Sequence, residues 1–280
     1  MTPLLTPSSI RALLDAHGLH PSRALGQNFL ADPNTARRIV RLAAVDGRTP
    51  VVEVGPGVGS LTLALCEAGA AVTAIELDRH VVAALEETVA GLPVTIVHDD
   101  ALTIDWRNVL AAAPRWVMVS NLPYNVATPV VVHVLERAPM VERLLVMVQR
   151  EVGERLAARV GDSAYGAVSV KVAYYSEARV VGVVPPTVFV PKPKVESALV
   201  ALTRRESPPV DVPDVDRLFE LVRAGFATRR KTLRNALATV LGNRAVPRLE
   251  GAGIDPGARA ETVGLDGWAR LARADAEDRA

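Results

Sequence analysis

Between residues 49 and 149, short apolar runs alternate with amphipathic stretches. "TPVVEV" (49–54), "AAVTAIELD" (70–78), "LPVTIVHDD" (92–100), "RWVMVSN" (115–121) and "ERLLVMVQ" (142–149) read as strands. "SLTLALCEAG" (60–69) reads as a helix with Ser60 as N-cap and Gly69 as stop, and "RHVVAALEETVAG" (79–91) as a second helix ended by Gly91. Strands separated by helices predict a parallel sheet covered on both faces, with ligands beyond the carboxyl ends of its strands. The pattern then changes. "ARVVGVVPP" (178–186) and "ESALVALTRR" (196–205) are strand-like with no long helix between them, which predicts an antiparallel pair closing one sheet edge. The proline- and acid-rich "ESPPVDVPDVD" (206–216) reads as a linker. Helical patterns follow: 216–242 as one run, then 246–253 and 265–277. The expected architecture is an α/β domain over 1–205, with a linker and a small all-helical domain over 206–280. The terminal "DAEDRA" is expected to fray.

Composition narrows the field. The chain has 280 residues, 49% apolar and 22% charged, as for a soluble globular protein. Net charge is only +1, so attraction for an acidic partner must come from local patches. Cys66 is the single cysteine, which excludes an intrachain disulfide framework and fits a reducing, cytoplasmic setting. It lies in a helix-like apolar stretch and reads as a buried small hydrophobe. No signal peptide or membrane-spanning run is recognisable. The five histidines are scattered, and no acidic or thiol cluster joins His17 and His20, so no metal site is expected.

Candidate chemistry begins at "EVGPGVGS" (53–60), where Gly55 and Gly57 allow a tight turn between strand and helix. The next strand ends in Glu76, about 20 residues on, where an acid can accept both hydroxyls of a ribose. The spacing G-x-G-x-G with Glu53 before it suits an ammonium better than a pyrophosphate, which points to S-adenosylmethionine. Asp100 in "HDDAL" is placed to accept from the adenine amine, with Asp99 its competitor, since strand alternation admits only one of them. In "SNLPYN" (120–125), Asn121 and a neighbouring backbone carbonyl form a paired acceptor for an exocyclic amine. Pro123 stiffens that loop and Tyr124 offers a face to a flat base. Between 223 and 234, Arg223, Arg229, Arg230, Lys231 and Arg234 occur with no acid, and Lys192 and Lys194 lie in "PKPK"; all seven are candidate phosphate contacts.

"GQNFL" (26–30), "EVGPGVGSLT" (53–62), "IELD" (75–78), "DDAL" (99–102), "NLPY" (121–124) and "FVPKPKVES" (189–197), in that order, resemble the rRNA adenine N6,N6-dimethyltransferase family, in particular its small-subunit (16S) branch. The likeness runs from Arg23 through "FATRRKTLRNAL" (226–237) to "GIDP" (253–256). It implies a class I methyltransferase fold, Rossmann-like and mostly parallel with an antiparallel edge, plus a helical C-terminal domain. It further implies dimethylation of two adjacent adenosines in the loop of the 3′-terminal hairpin of small-subunit rRNA, on the immature 30S subunit, by a monomer without metal. By motif, Asn28 and Leu30 would border the methionine end of S-adenosylmethionine and Gly55 would lie against it. Glu76 would take the ribose and Asp100 the adenine. Asn121 and the Leu122 carbonyl would hold the target N6, and Tyr124 and Phe189 would sandwich the base. Arg23 stands where the family often has Lys, and Thr228 where it often has Gln. Competing readings are a macrolide-resistance type enzyme of large-subunit rRNA, and an assembly factor whose RNA binding outweighs its catalysis.

Overall fold

A computed structural model, which describes residues 3–21, 26–228 and 230–276, turns the apolar runs into a seven-stranded sheet and a separate two-stranded one. The strands are β1 (Phe29–Leu30), β2 (Pro50–Val54), β3 (Ala71–Glu76), β4 (Val94–His98), β5 (Trp116–Asn121), β6 (Val141–Gln149), β7 (Ser176–Val184), β8 (Phe189–Val190) and β9 (Ser197–Arg204). The large sheet has the order β4-β3-β2-β5-β6-β9-β7. Strands β4 to β6 are parallel neighbours, and β9 runs antiparallel to β6 with Gln149 opposite Ser197. The order reverses between β2 and β5, so the carboxyl ends of these two strands open a crevice. Central strands read as unbroken apolar runs because both faces are covered: Val51, Val52, Met118 and Val119 are all buried.

The chain divides into two compact units. The first comprises Met1–Glu154 and Ala178–Arg204 and holds the sheets. Its helices begin with α1 (Pro7–Ala16), α2 (Pro33–Ala43), α3 (Ser60–Glu67) and α4 (Arg79–Thr88). They continue with α5 (Trp106–Val109), α6 (Ala127–Arg137) and most of α7 (Arg150–Ala157). In α2, Asp32 accepts from the Thr35 N–H and Pro33 starts the helix, while Ala36, Ile39, Val40 and Ala43 turn one face to the core. Helix α3 starts otherwise than its sequence suggests. Gly59, at φ +90°, is the N-cap, and Ser60 is the first helical residue with no capping bond. A Cβ at Gly59 would press on Leu85 and Thr88, so a capping serine does not fit there.

The second unit comprises Arg155–Glu177 and Arg205–Ala280. It holds α8 (Ala167–Tyr175), α9 (Val215–Phe226), α10 (Leu233–Leu241), α11 (Ala245–Gly251) and α12 (Leu265–Ala276). The sequence pattern marks one division, after residue 205; here α8 also packs with the C-terminal helices, because Val170 and Tyr174 share a core with Leu218, Phe219 and Trp268. Gly225 is small enough for the Trp268 ring to lie against it. The run 216–242 is two helices, broken at 227–232. Chain from the GIDP region ends the break: the Leu233 and Arg234 N–H groups donate to Ala258 O and Pro256 O, which satisfies the first turn of α10. Asp275 does not fray; it is fully buried, and its carboxylate accepts from Arg217 Nε at 2.7 Å. Residues 277–280 lie outside the described residues.

Candidate active site

Beyond the ends of β2, β3, β4 and β5 lies a cavity of about 410 Å³. Three of the segments that line it interlock through glycines. Gly55, at φ +70°, faces Pro123, and a Cβ there would stand 3.0 Å from the proline Cδ. At Gly57, φ +56°, a Cβ would stand 2.9 Å from the Phe29 ring. At Gly26, φ +65°, a Cβ would stand 2.9 Å from Asn125 Oδ1 and 3.1 Å from the Tyr124 N. Any side chain at these positions would combine a left-handed backbone with a clash. The motifs "GQNFL", "GPGVG" and "NLPY" therefore form one packed body, although nearly 100 residues separate the first from the last.

Two acids are buried in this wall. Glu76, 8% exposed, accepts from the Gly57 N–H at 3.1 Å through one oxygen and from the Asp78 N–H at 3.0 Å through the other. It thus holds the glycine turn as well as facing the cavity. Burial raises its pKa, opposed by the N–H groups of Asp78, Gly57 and Leu77. Each oxygen keeps a further lone pair for a ligand hydroxyl. Glu53, 1% exposed, accepts from Thr62 Oγ1 at 2.7 Å. Burial pushes its carboxyl up to about 8; the Thr62 bond opposes the rise and the charge of Glu76 adds to it. Ser60 Oγ, also on the cavity wall, is buried and has no hydrogen-bond partner among the described residues. A buried hydroxyl without a partner is costly unless a ligand supplies one.

These groups fit S-adenosylmethionine. A glycine cradle admits the ligand close to backbone. Glu53 and Ser60 offer buried polar atoms to an amino-acid moiety, and Glu76 offers carboxylate oxygens to a ribose. At the far rim, Asp99 and Asp100 both line the cavity. Strand alternation does not separate them, because β4 ends at His98 and both lie in the following turn. Asp100 Oδ1 accepts from the Leu102 N–H at 2.9 Å, and Asp99 Oδ1 from the Asp100 N–H at 2.7 Å. Apolar Leu77 and Leu102 face the same space. Ser60, Leu77, Leu102 and Gln27, which donates to Asp78 at 2.9 Å, are wall residues that the motif reading does not single out. Only their place inside the motifs hints at them.

The reacting end is set by "NLPY". Asn121 Nδ2 donates to the Asn28 carbonyl at 3.0 Å, which fixes the amide so that Oδ1 remains as the acceptor. Leu122 is buried, and its N–H is spent on Met147 O at 3.1 Å. Tyr124 lines the cavity with its hydroxyl 2.6 Å from Ser197 Oγ. Burial raises the Tyr124 pKa, the Ser197 bond opposing, so the phenol stays neutral. Asn28, Leu30, Gly55, Gly57, Glu76, Asp100, Asn121, Leu122, Pro123 and Tyr124 thus border one cavity.

Phe189 does not. It is 3% exposed, pairs with Leu30 across the β1–β8 ladder, and belongs to an apolar core with Val184 and Leu199. Its ring is enclosed in that core, and Phe189 is not among the residues that line the cavity. Cys66 is half-buried rather than enclosed, with its thiol pushed up to about 11 by burial and by Glu53, which leaves it unreactive. Among the described residues no three His, Cys, Asp or Glu side chains converge as metal ligands, and no helix is long and apolar enough to cross a membrane.

Lys192, Lys194, Arg223, Arg230, Lys231 and Arg234 are all exposed. Arg223 lies in the last turn of α9, Arg230 and Lys231 in the break, and Arg234 in the first turn of α10, so the basic run is a turn between helices rather than a helix face. Arg229 and Arg23 lie outside the described residues.

The family model described as "Ribosomal RNA adenine dimethylase" matches residues 20–275. "Ribosomal RNA small subunit methyltransferase A" of Thermobifida fusca is 49% identical over 96% of this chain and 95% of its own length. The protein of the same name from Moorella thermoacetica is 45% identical over 98% of this chain and 99% of its own. Among solved structures, the 23S rRNA methyltransferase ErmE is 29% identical with a TM-score of 0.65, covering 88% of this chain and 99% of that one. A dimethyladenosine transferase from Plasmodium falciparum, 23% identical with a TM-score of 0.68 over 87% of this chain and 95% of that one, shares the fold.

Proposed function

The chain belongs to the ribosomal RNA adenine dimethylase family, and from that premise we propose that it converts two adjacent adenosines in the 3′-terminal hairpin loop of small-subunit rRNA to their N6,N6-dimethyl forms. It is a methyltransferase that depends on S-adenosylmethionine. The observation that carries the reading is the fixed acceptor at Asn121, held by the Asn28 carbonyl at the mouth of the sheet. S-adenosylmethionine supplies an activated methyl group when bound and leaves as S-adenosylhomocysteine.

The chain's own part is to bind, orient and dry the reacting amine. The lone pair of an exocyclic amine is delocalised into the ring. Acceptors at Asn121 Oδ1 and the Leu122 carbonyl engage its N–H groups and favour a lone pair available for attack. Pro123 and Gly55 hold these acceptors in place. Tyr124 stacks the base, which must leave its own stack to arrive. Phe189 joins from the other face only if β8 releases its ring, so the resting base contact falls to Tyr124 alone. Glu53, Ser60, Asn28 and Leu30 take the methionine end, Glu76 the ribose and Asp100 the adenine. Positioning of this kind contributes most of the rate and needs neither metal nor covalent intermediate. Lys192, Lys194 and the exposed basic turn hold RNA phosphates. The substrate is the immature 30S subunit, met in the cytoplasm by a single copy.

A large-subunit target is the rival reading, since ErmE shares the architecture. The relatives at 45–49% identity are named for the small subunit, which favours that substrate. Incubation of under-methylated small subunits, and separately of large subunits, with labelled methyl donor tests it by mapping of modified bases. Two adjacent dimethyladenosines in the small subunit are expected; modification confined to large-subunit rRNA would overturn the assignment. Asn121→Ala should lower the single-turnover rate by about a hundredfold with RNA binding retained.

A further inference from the structure

The Tyr124 backbone and the Tyr124 hydroxyl are anchored to different parts of the sheet. The backbone follows β5 by three residues, packs against Gly26, and continues from Pro123, which itself packs against Gly55. The hydroxyl lies 2.6 Å from Ser197 Oγ, on the first residue of β9. Strand β6 separates β5 from β9, and at its end Asn121 stands opposite Met147 and Ser197 opposite Gln149. The phenol therefore reaches over the carboxyl end of β6. Ser197 has no exposed surface, so water cannot replace the bond on its side. A tyrosine ring on a cavity wall, tied only by its backbone, turns about two side-chain torsions; a bond at the far end removes that freedom.

We propose that Ser197 is a positioning residue for methyl transfer: by holding the Tyr124 hydroxyl it fixes the ring plane on which the target adenine stacks, and so aligns the amine with the acceptors at Asn121 and Leu122. The proposal rests on the reading that Tyr124 stacks the base. Ser197 touches neither base nor donor; it acts through Tyr124. Its role differs from plain stabilisation in a way that can be measured. A bond that only satisfies a buried hydroxyl would affect folding and leave the chemical step alone.

The test compares Ser197→Ala, Tyr124→Phe, the double variant and Tyr124→Ala. Single-turnover methyl transfer at saturating RNA and S-adenosylmethionine, cofactor affinity by calorimetry, and Tm are measured on each. Ser197→Ala and Tyr124→Phe should each slow transfer about tenfold, and the double variant no further, because both remove one bond. Cofactor affinity should stay within about twofold, since the bond does not touch the donor site. Full rates in both single variants, with Tyr124→Ala slow, would overturn the proposal while the stacking reading stands. A full rate in Tyr124→Ala would overturn the stacking reading and the proposal with it. Losses of rate, Tm and cofactor affinity in parallel would make Ser197 structural only and also overturn the proposal. If Ser197→Ala fails to fold, Tyr124→Phe decides alone, because it deletes the same bond and leaves Ser197 in place.

Discussion

The two units bury acidic side chains on opposite terms. In the helical unit Asp275 is enclosed with a cation, Arg217, whose Nε donates at 2.7 Å while its Nη1 holds the exposed Glu220 at 2.6 Å. In the sheet unit Glu53 and Glu76 are buried with neutral donors only: a threonine hydroxyl for the first, backbone N–H groups for the second. Among the described residues neither has an ion pair. A buried acid paired with a cation is part of the fold. A buried acid without one carries the full cost of desolvating its charge, and such acids in a cleft are the groups that ligand sites use. The contrast separates a unit built to stay closed from a unit built around a guest.

The largest break in that contrast should come from the paired acid. Asp275→Ala leaves the buried Arg217 Nε without its acceptor and only the exposed Glu220 as counter-charge, which costs about 3 kcal/mol, the low end for a broken buried pair. Tm should fall by about 10 °C, while cofactor affinity stays unchanged. Replacing both partners by apolar residues, Arg217→Met with Asp275→Leu, should recover most of the loss, because neither charge is then stranded. A mild single variant would mean that solvent reaches the pair.

The unpaired acid should behave otherwise. Glu53 titrates near 8 in the folded chain against an ordinary 4.5. Between these values the folded state keeps a proton that the unfolded state has lost, so wild-type stability falls as pH rises from about 5 to about 8 and levels off above. Glu53→Gln stays neutral throughout and should lack this slope. The Tm difference between wild type and variant, taken across that range, isolates the group because other titrations cancel. The variant should gain relative stability at high pH yet bind S-adenosylmethionine more weakly, having no charge to offer a cationic ligand. Parallel pH curves would place Glu53 in a wetter site than its burial indicates.

How much of this was legible in the sequence depends on the range of the interaction. The strands of the sheet could be read because burial on both faces leaves continuous apolar runs such as "VVEV" and "WVMV". "GPG" and "NLPY" could be read because paired glycines after a strand, and a proline two residues after Asn, are local signals. The start of α3 could not be read: Ser60 looks like a cap, and only the contact of Gly59 with Leu85 and Thr88 shifts the cap by one residue. The break between α9 and α10 was hidden because "ATRRKT" (227–232) holds no glycine or proline to mark it, and its residues are ones a helix surface also carries. The burial of Phe189 depends on a two-residue ladder to Leu30, some 160 residues away, which no local pattern reports. The same is true of Asp275, whose terminal position suggests fraying until Arg217 is placed beside it.

The smallest effect on stability, and the last test of the comparison, concerns charge that is not buried. Arg230, Lys231 and Arg234 are exposed, and no ion pair involves them among the described residues. Arg234 stands in the first turn of α10, where the helix dipole disfavours a cation. The N–H groups of that turn are already satisfied by Pro256 O and Ala258 O, so the helix end itself offers little to an anion. A cation placed where it does not help its own helix suggests a partner outside the chain. Changing all three residues to Gln should therefore leave stability within about 1 kcal/mol of wild type, as is usual for surface substitutions. Binding to small-subunit rRNA should weaken, and the slope of log affinity against log salt should fall by about 0.7–0.9 for each phosphate that the variant no longer neutralises. Cofactor affinity should be unaffected, because these side chains do not line the cavity. An unchanged salt slope would show that the turn is merely solvated, and would leave Lys192, Lys194 and Arg223 as the remaining described candidates for holding the RNA.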